Sequence, residues 1–329
     1  MRLGRKILLL LLCVSMGLFS CEIAEKPIDL PPQGPATMVS VSVGDSYEDQ
    51  LFFDLEKGEI VKTSKVASWD LAFETSADGF HVFINGGKNL FAYNTRSANL
   101  SQLVNAQSVP FSEWGFDAPS GSKDSTAVGD WRQADGSSKM EVYYLKFHDG
   151  TFKKFMIGSA NEDEYLLYYG DETDPTLQSI VIPKNPDYTY SYFSFNNGGQ
   201  LVYPDPPKAS WDIVFSQYRH IYYELNNFPY LVQGILLNPY QTKALVDSTT
   251  SFDAINAQTY PESAFTTTRD IIGFAWKRYD LDAGKYTTNP AVVYVIRNRN
   301  GQIWKMRFLD FYGPNGEKGH PTFEIERIY

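Results

Sequence analysis

Short runs of alternating apolar and polar residues fill most of the chain, and almost nowhere does the spacing fit an amphipathic helix. Val142-Tyr143-Tyr144-Leu145-Lys146 and Gly150-Thr151-Phe152-Lys153-Lys154-Phe155, either side of His148-Asp149-Gly150, read as strand, turn, strand. The same pattern returns at Val293-Tyr294-Val295-Ile296-Arg297 and Gly301-Gln302-Ile303-Trp304-Lys305-Met306, around Arg299-Asn300-Gly301. Upstream, Phe53-Asp54-Leu55-Glu56-Lys57-Gly58-Glu59-Ile60-Val61 resembles Phe193-Ser194-Phe195-Asn196-Asn197-Gly198-Gly199-Gln200-Leu201-Val202. Both predict a hairpin whose turn uses glycine. Two short helices are predicted, one behind Ser97 over residues 98–104 and one behind Ser251 over residues 252–255, with serine as N-cap in each.

The hairpins recur because the chain is duplicated. Ala67-Ser68-Trp69-Asp70-Leu71-Ala72-Phe73 returns as Ala209-Ser210-Trp211-Asp212-Ile213-Val214-Phe215, with the order hairpin, Trp-Asp strand, variable middle, hairpin in both copies. This predicts a mainly β fold of two tandem homologous units, 46–175 and 186–329, with one short helix each. Trp69 and Trp211 read as packing anchors. Asp70 and Asp212 read as structural acceptors that cap a turn or pair with an arginine.

Residues 1–20 read as a lipoprotein signal peptide. Arg2, Arg5 and Lys6 precede an apolar stretch too short to span a bilayer, and it ends in Leu18-Phe19-Ser20-Cys21. Cys21 is the expected lipidation site, and it anchors the chain to a membrane through residues 21–45, a proline-bearing tether. The other cysteine, Cys13, lies in the leader, which leaves no disulfide and no catalytic thiol. The formal net charge is −10, and the leader takes away only positive charge. Such an acidic body argues against nucleic acid as a partner.

No phosphate-binding glycine loop, zinc-spaced His-Glu pair or Gly-x-Ser-x-Gly occurs, so no enzyme is expected. Glu162-Asp163-Glu164 and Asp171-Glu172-Thr173-Asp174 lack the alternating oxygens of a calcium loop and read as solvated turns.

From about residue 186 onward the chain resembles the HmuY-like family of heme-binding lipoproteins. The resemblance rests on Trp211-Asp212-Ile213-Val214-Phe215, Ile272-Gly273-Phe274-Ala275-Trp276-Lys277-Arg278-Tyr279, Tyr294-Val295-Ile296-Arg297, residues 304–312 and the ending at residues 316–324. The first copy is a divergent repeat that matches through Trp69-Asp70 and Trp131. The resemblance implies a mainly β, exported outer-membrane lipoprotein that binds heme or a related tetrapyrrole and serves a TonB-dependent transporter in iron acquisition.

Heme iron needs an imidazole, thioether or phenolate donor in an apolar slot. Between Trp211 and Trp276 the one histidine is His220, in Tyr218-Arg219-His220-Ile221-Tyr222-Tyr223, and there is no methionine. On a strand His220 shares a face with Tyr218 and Tyr222, while Arg219 points the other way with Tyr223. His220, Tyr218 and Tyr222 are therefore the candidate heme-binding residues. His81 is expected at a strand rim, His148 in a turn and His320 in the terminal loop. The alternative is a surface binding or structural lipoprotein for a glycan or protein partner, in which this face is an ordinary aromatic sheet surface.

Overall fold

The structure is a computed structural model that describes residues 35–329, so the leader and Cys21 lie outside the described residues. The described chain is almost wholly strand and turn. It opens with β1 (Thr37–Ser40) and the hairpin β2 (Asp49–Asp54) and β3 (Glu59–Lys65). Then come β4 (Leu71–Glu74), β5 (Val82–Ile84), β6 (Phe91–Asn94), β7 (Tyr143–Lys146), β8 (Phe152–Ala160) and β9 (Glu164–Asp171). The strand β10 (Gln178–Pro183) leads into the second hairpin, β11 (Tyr190–Ser194) and β12 (Gln200–Val202). The rest supplies β13 (Ile213–Tyr222), β14 (Phe228–Leu237), β15 (Lys243–Asp247), β16 (Lys277–Asp280), β17 (Lys285–Thr288), β18 (Val293–Arg297), β19 (Ile303–Tyr312) and β20 (Lys318–Arg327). The predicted turns β7–β8 and β18–β19 place Gly150 at φ 83° and Gly301 at φ 76°, a conformation that suits glycine.

The expected short helix of each copy is a single 3-10 turn, Leu100–Gln102 in the first and Phe252–Ala254 in the second. Asn99 rather than Ser97 caps the first, accepting from Ser101 N, and Ser251 makes no side-chain cap. His320 lies within β20 rather than in a terminal loop. No helix among the described residues is long and apolar enough to cross a membrane.

Two sandwiches form. In one, the sheets β10-β9-β8-β7-β6 and β12-β11-β4-β5 bury Leu71, Phe73, Phe155, Leu167 and Phe193. In the other, β1-β20-β19-β18-β15 and β14-β13-β2-β3 bury Leu51, Phe53, Phe215, Phe308 and Phe323. The β16–β17 ribbon is a separate two-stranded sheet whose Tyr286 packs against the second core.

These cores cut across the repeats expected at 46–175 and 186–329. The hairpin β2–β3 of the first copy pairs with β13 of the second, and the hairpin β11–β12 of the second pairs with β4 of the first. One lobe is thus the continuous stretch from β4 to β12, and the other is assembled from both ends, β1–β3 and β13–β20. The registers are equivalent: Phe53 faces Ile213 and Phe193 faces Leu71, each two residues after the repeated tryptophan. The link from hairpin to Trp-Asp strand explains the exchange. It carries one 3-10 turn, Val66–Ser68 directly after β3 in the first copy and Lys208–Ser210 after residues 203–207 in the second, and the chain leaves each turn extended at Trp69 or Trp211. An extended link carries the chain onward to the other lobe instead of folding it back.

Candidate functional site

The repeated Trp-Asp motif holds the exchange together. Asp212 donates its N–H to Phe53 O (2.9 Å), and its carboxylate accepts from Leu55 N (2.9 Å) and Arg299 Nη1 (2.6 Å). In the first copy Asp70 donates to Phe193 O (2.9 Å) and accepts from Phe195 N (2.7 Å), Ser194 Oγ (3.0 Å) and Lys88 Nζ. Each aspartate therefore clasps the hairpin that arrives from the other copy. Burial pushes the Asp212 carboxyl up, and the Leu55 N–H and Arg299 work against that shift. Asn85 and Asn238 complete the symmetry. Asn85 Nδ2 donates to Val66 O (2.8 Å) and Trp69 O (2.9 Å), and Asn238 Nδ2 to Lys208 O (2.8 Å) and Trp211 O (2.7 Å). Sequence reasoning missed Asn238. The signal was present: each asparagine follows its Trp-Asp pair at a strand end. Trp211 is buried and meets Phe52 edge-on at 4.9 Å, while Trp69 is half-buried against Tyr192 at 5.0 Å. These residues are scaffold.

The three candidate ligands lie along β13 with the predicted alternation. His220 sits opposite Tyr230 of β14 and meets the rings of Tyr222 at 4.8 Å and Phe274 at 4.9 Å, both edge-on. Its Nδ1 is buried without a hydrogen-bond partner. Tyr222 continues to Tyr230 at 6.2 Å, so imidazole and phenols form one aromatic row. The hairpin beyond it leaves the core: Tyr223 is 63% exposed, Phe228 53% and Tyr230 54%. Tyr218 lies deeper. It is buried against Gly234 and Gly273, and burial raises its phenol far above the ordinary value, with Asp270 adding to the effect. The structure thus joins His220 to Tyr222 and sets Tyr218 beneath them as packing. Arg219 faces away, as expected, and is buried with Nη2 donating to Leu90 O (2.5 Å).

Asp270 and Phe274, which sequence reasoning did not connect to His220, come from the loop before β16. Burial raises the Asp270 carboxyl, and its own backbone N–H and the neighbouring His220 work against that shift.

A second imidazole is better oriented than its rim position suggested. His81 Nδ1 lies 2.8 Å from Glu74 Oε2, and Lys123 also bonds that carboxylate. Burial works to raise Glu74, but the bonds from Lys123 and His81 outweigh it and hold the carboxyl low. His81 also lines an open cleft of about 380 Å³ with Phe80, Trp131, Arg132 and Lys123. A carboxylate on one imidazole nitrogen is the arrangement that orients a metal-ligating histidine. His148 lines another open cleft, with Phe91, Phe111, Phe147 and Phe228. No cluster of three or more His, Cys, Asp or Glu able to hold a bare metal ion occurs among the described residues.

Among solved structures, the chain is similar to apo PinO from Porphyromonas gingivitis at 12% identity and TM-score 0.37, covering 90% of this chain and 98% of that one. It is also similar to the apo HmuY analog of Tannerella forsythia at 10% identity and TM-score 0.28, covering 92% and 99%. A Bacteroides vulgatus protein described as HmuY-like and heme-binding matches at 11% identity and TM-score 0.25, covering 89% and 91%. No curated protein matches the chain. The HmuY protein family matches twice, over residues 46–190 and 187–325, and with both copies accounted for the chain belongs to that family.

Proposed function

We propose that this protein binds heme or a related tetrapyrrole at the His220 face of β13 for uptake, as an exported outer-membrane lipoprotein anchored through Cys21 and serving a TonB-dependent transporter. The observation that carries the reading is His220 itself. Its Nδ1 has no hydrogen bond, and it lies between Tyr222 and Phe274 at the foot of an exposed aromatic hairpin. A flat apolar macrocycle stacks on such rings, and the imidazole supplies the axial nitrogen. Tyr222 is the phenolic neighbour on the same face. Tyr218 supports the row from below.

The test is hemin titration followed at the Soret band. Wild type shifts and saturates, and His220→Ala loses the shift or weakens binding at least tenfold. A wild type without a Soret shift rejects tetrapyrrole binding. The His81–Glu74 pair favours a second location, so His81→Ala is titrated alongside, and loss in that variant alone moves the site to the first copy. The exposed Tyr223, Phe228 and Tyr230 favour the other reading, a surface lipoprotein for a glycan or protein partner, if hemin does not bind.

A further inference from the structure

The two four-stranded sheets turn their outer faces toward one another, and a cavity of about 130 Å³ lies between them, with walls from both copies. Trp69 and Trp211 contribute equivalent positions, and Asp117, Asp205, Tyr190, Arg219 and Arg269 add the polar groups. At about 30 Å³ per water, the space suits a handful of waters or a small organic molecule, and it is far below the roughly 300 Å³ at which cofactor pockets begin. It cannot be the tetrapyrrole site.

The wall carries a surplus of donors. Arg219 is only 2% exposed and its guanidinium lies over the Phe91 ring at 4.2 Å, yet its Nε and Nη1 have no hydrogen-bond acceptor, nor does Trp211 Nε1. Asp117 does not neutralise Arg219 by a direct bond, because its oxygens accept from Ile84 N (2.7 Å) and Ala127 N (2.7 Å). Burial further pushes Asp117 up to about 7 and Asp205, bonded to Tyr192, up to about 6. Arg269 is only half-buried, and with Gly121 and Tyr190 it also lines a neighbouring open cleft that holds Lys123 and hydroxyl groups of Ser120 and Thr268. These shared residues mark a way in, with a guanidinium at the entrance and a second one behind the wall. Apolar Ala72, Phe83, Val214 and Leu236 complete the lining. Unpaired buried donors call for an acceptor-rich ligand, the two guanidiniums for an oxyanion, and the apolar wall for a carbon skeleton.

We propose that this interlobe cavity, entered past Arg269, binds a small organic carboxylate. The test uses the whole protein without its leader, titrated with sodium pyruvate and sodium acetate by calorimetry and by tryptophan fluorescence. Sodium chloride and sodium sulfate at matched ionic strength are the controls. Saturable binding of a carboxylate is expected, with Trp69 and Trp211 in the wall reporting it. Losing one charge-assisted partner weakens it by roughly 10–100-fold in Arg269→Gln and again in Arg219→Gln. Should Arg219→Gln fail to fold, Arg269→Gln decides. Unchanged affinity in His220→Ala separates this site from the tetrapyrrole reading. No saturable binding by either acid, equal binding by sulfate, or full affinity in Arg269→Gln overturns the proposal.

Discussion

Cutting the chain between Pro186 and Asp187, where the sequence repeat divides, should yield two pieces that cannot hold their cores alone and restore each other. The C-terminal piece keeps β11–β20 but loses Val41, Val43, Leu51, Phe53 and Leu55 from its core, all of them buried. At about 1.5–3 kcal/mol per buried side chain, the loss is roughly 7–15 kcal/mol, as large as the whole stability of an ordinary domain. The N-terminal piece loses Phe193 and Phe195 and, with them, the partners of Asp70. That loss is about 3–6 kcal/mol for the rings alone, enough to leave it marginal. Expressed separately, the C-terminal piece is expected to be unfolded or aggregated. Co-expressed, the two pieces should co-elute as one 1:1 complex with a cooperative melt, since each carries the other's hairpin. A contiguous piece cut just before β4 and just after β12 should fold alone, with its core complete. Size-exclusion chromatography and thermal melts read all three. A C-terminal piece that is monomeric and melts cooperatively near the intact protein, or pieces that ignore each other, would refute the hairpin exchange.

Arg299 holds two buried carboxylates, Asp212 at 2.6 Å and Asp54 at 3.0 Å, so Arg299→Met should cost about 3–5 kcal/mol at pH 7 in a urea melt, and less at acid pH, where the stranded Asp212, already raised by burial, protonates. A loss under about 1 kcal/mol would show that the clasp does not depend on it. Trp211→Ala should cost about 3–5 kcal/mol by denaturant titration, and a change near zero would deny it the role of anchor. Burial pushes Lys277 down to about 7, while an unfolded lysine titrates near about 10.4. Between those values the unfolded chain holds a proton that the folded chain has released, so wild-type stability should rise with pH across that window. Lys277→Met should then be the more stable protein at pH 7, with its advantage shrinking toward about pH 10. A destabilised variant at pH 7 would mean that the Gln233 carbonyl, which accepts from Lys277 Nζ at 2.6 Å, and the rings of Trp276 and Phe311, at 4.4 and 5.0 Å, hold the lysine better than water does.

The sequence by itself determined what depends on near neighbours. Alternation along residues 143–155 and 293–306 gave the strands, the need for positive φ put Gly150 and Gly301 in their turns, and a seven-residue match exposed the duplication. The period of two placed His220 with Tyr222 and against Arg219, and the structure keeps that division. Asp70 and Asp212 were legible as buried acceptors, but their partners were not. Each Trp-Asp strand could have paired with either of two similar hairpins in the same apolar register. The extended link through Trp69 and Trp211 decided between them, and that choice belongs to the path of the chain in space. The surroundings of His220 were decided in the same way, because Phe274 and Asp270 reach it from a loop far along the chain. So was the cavity between the lobes, whose walls come from both copies and exist only once the hairpins have crossed. Local pattern fixes which face a side chain takes, while the identity of what it faces follows from long-range pairing, which alternation alone does not encode.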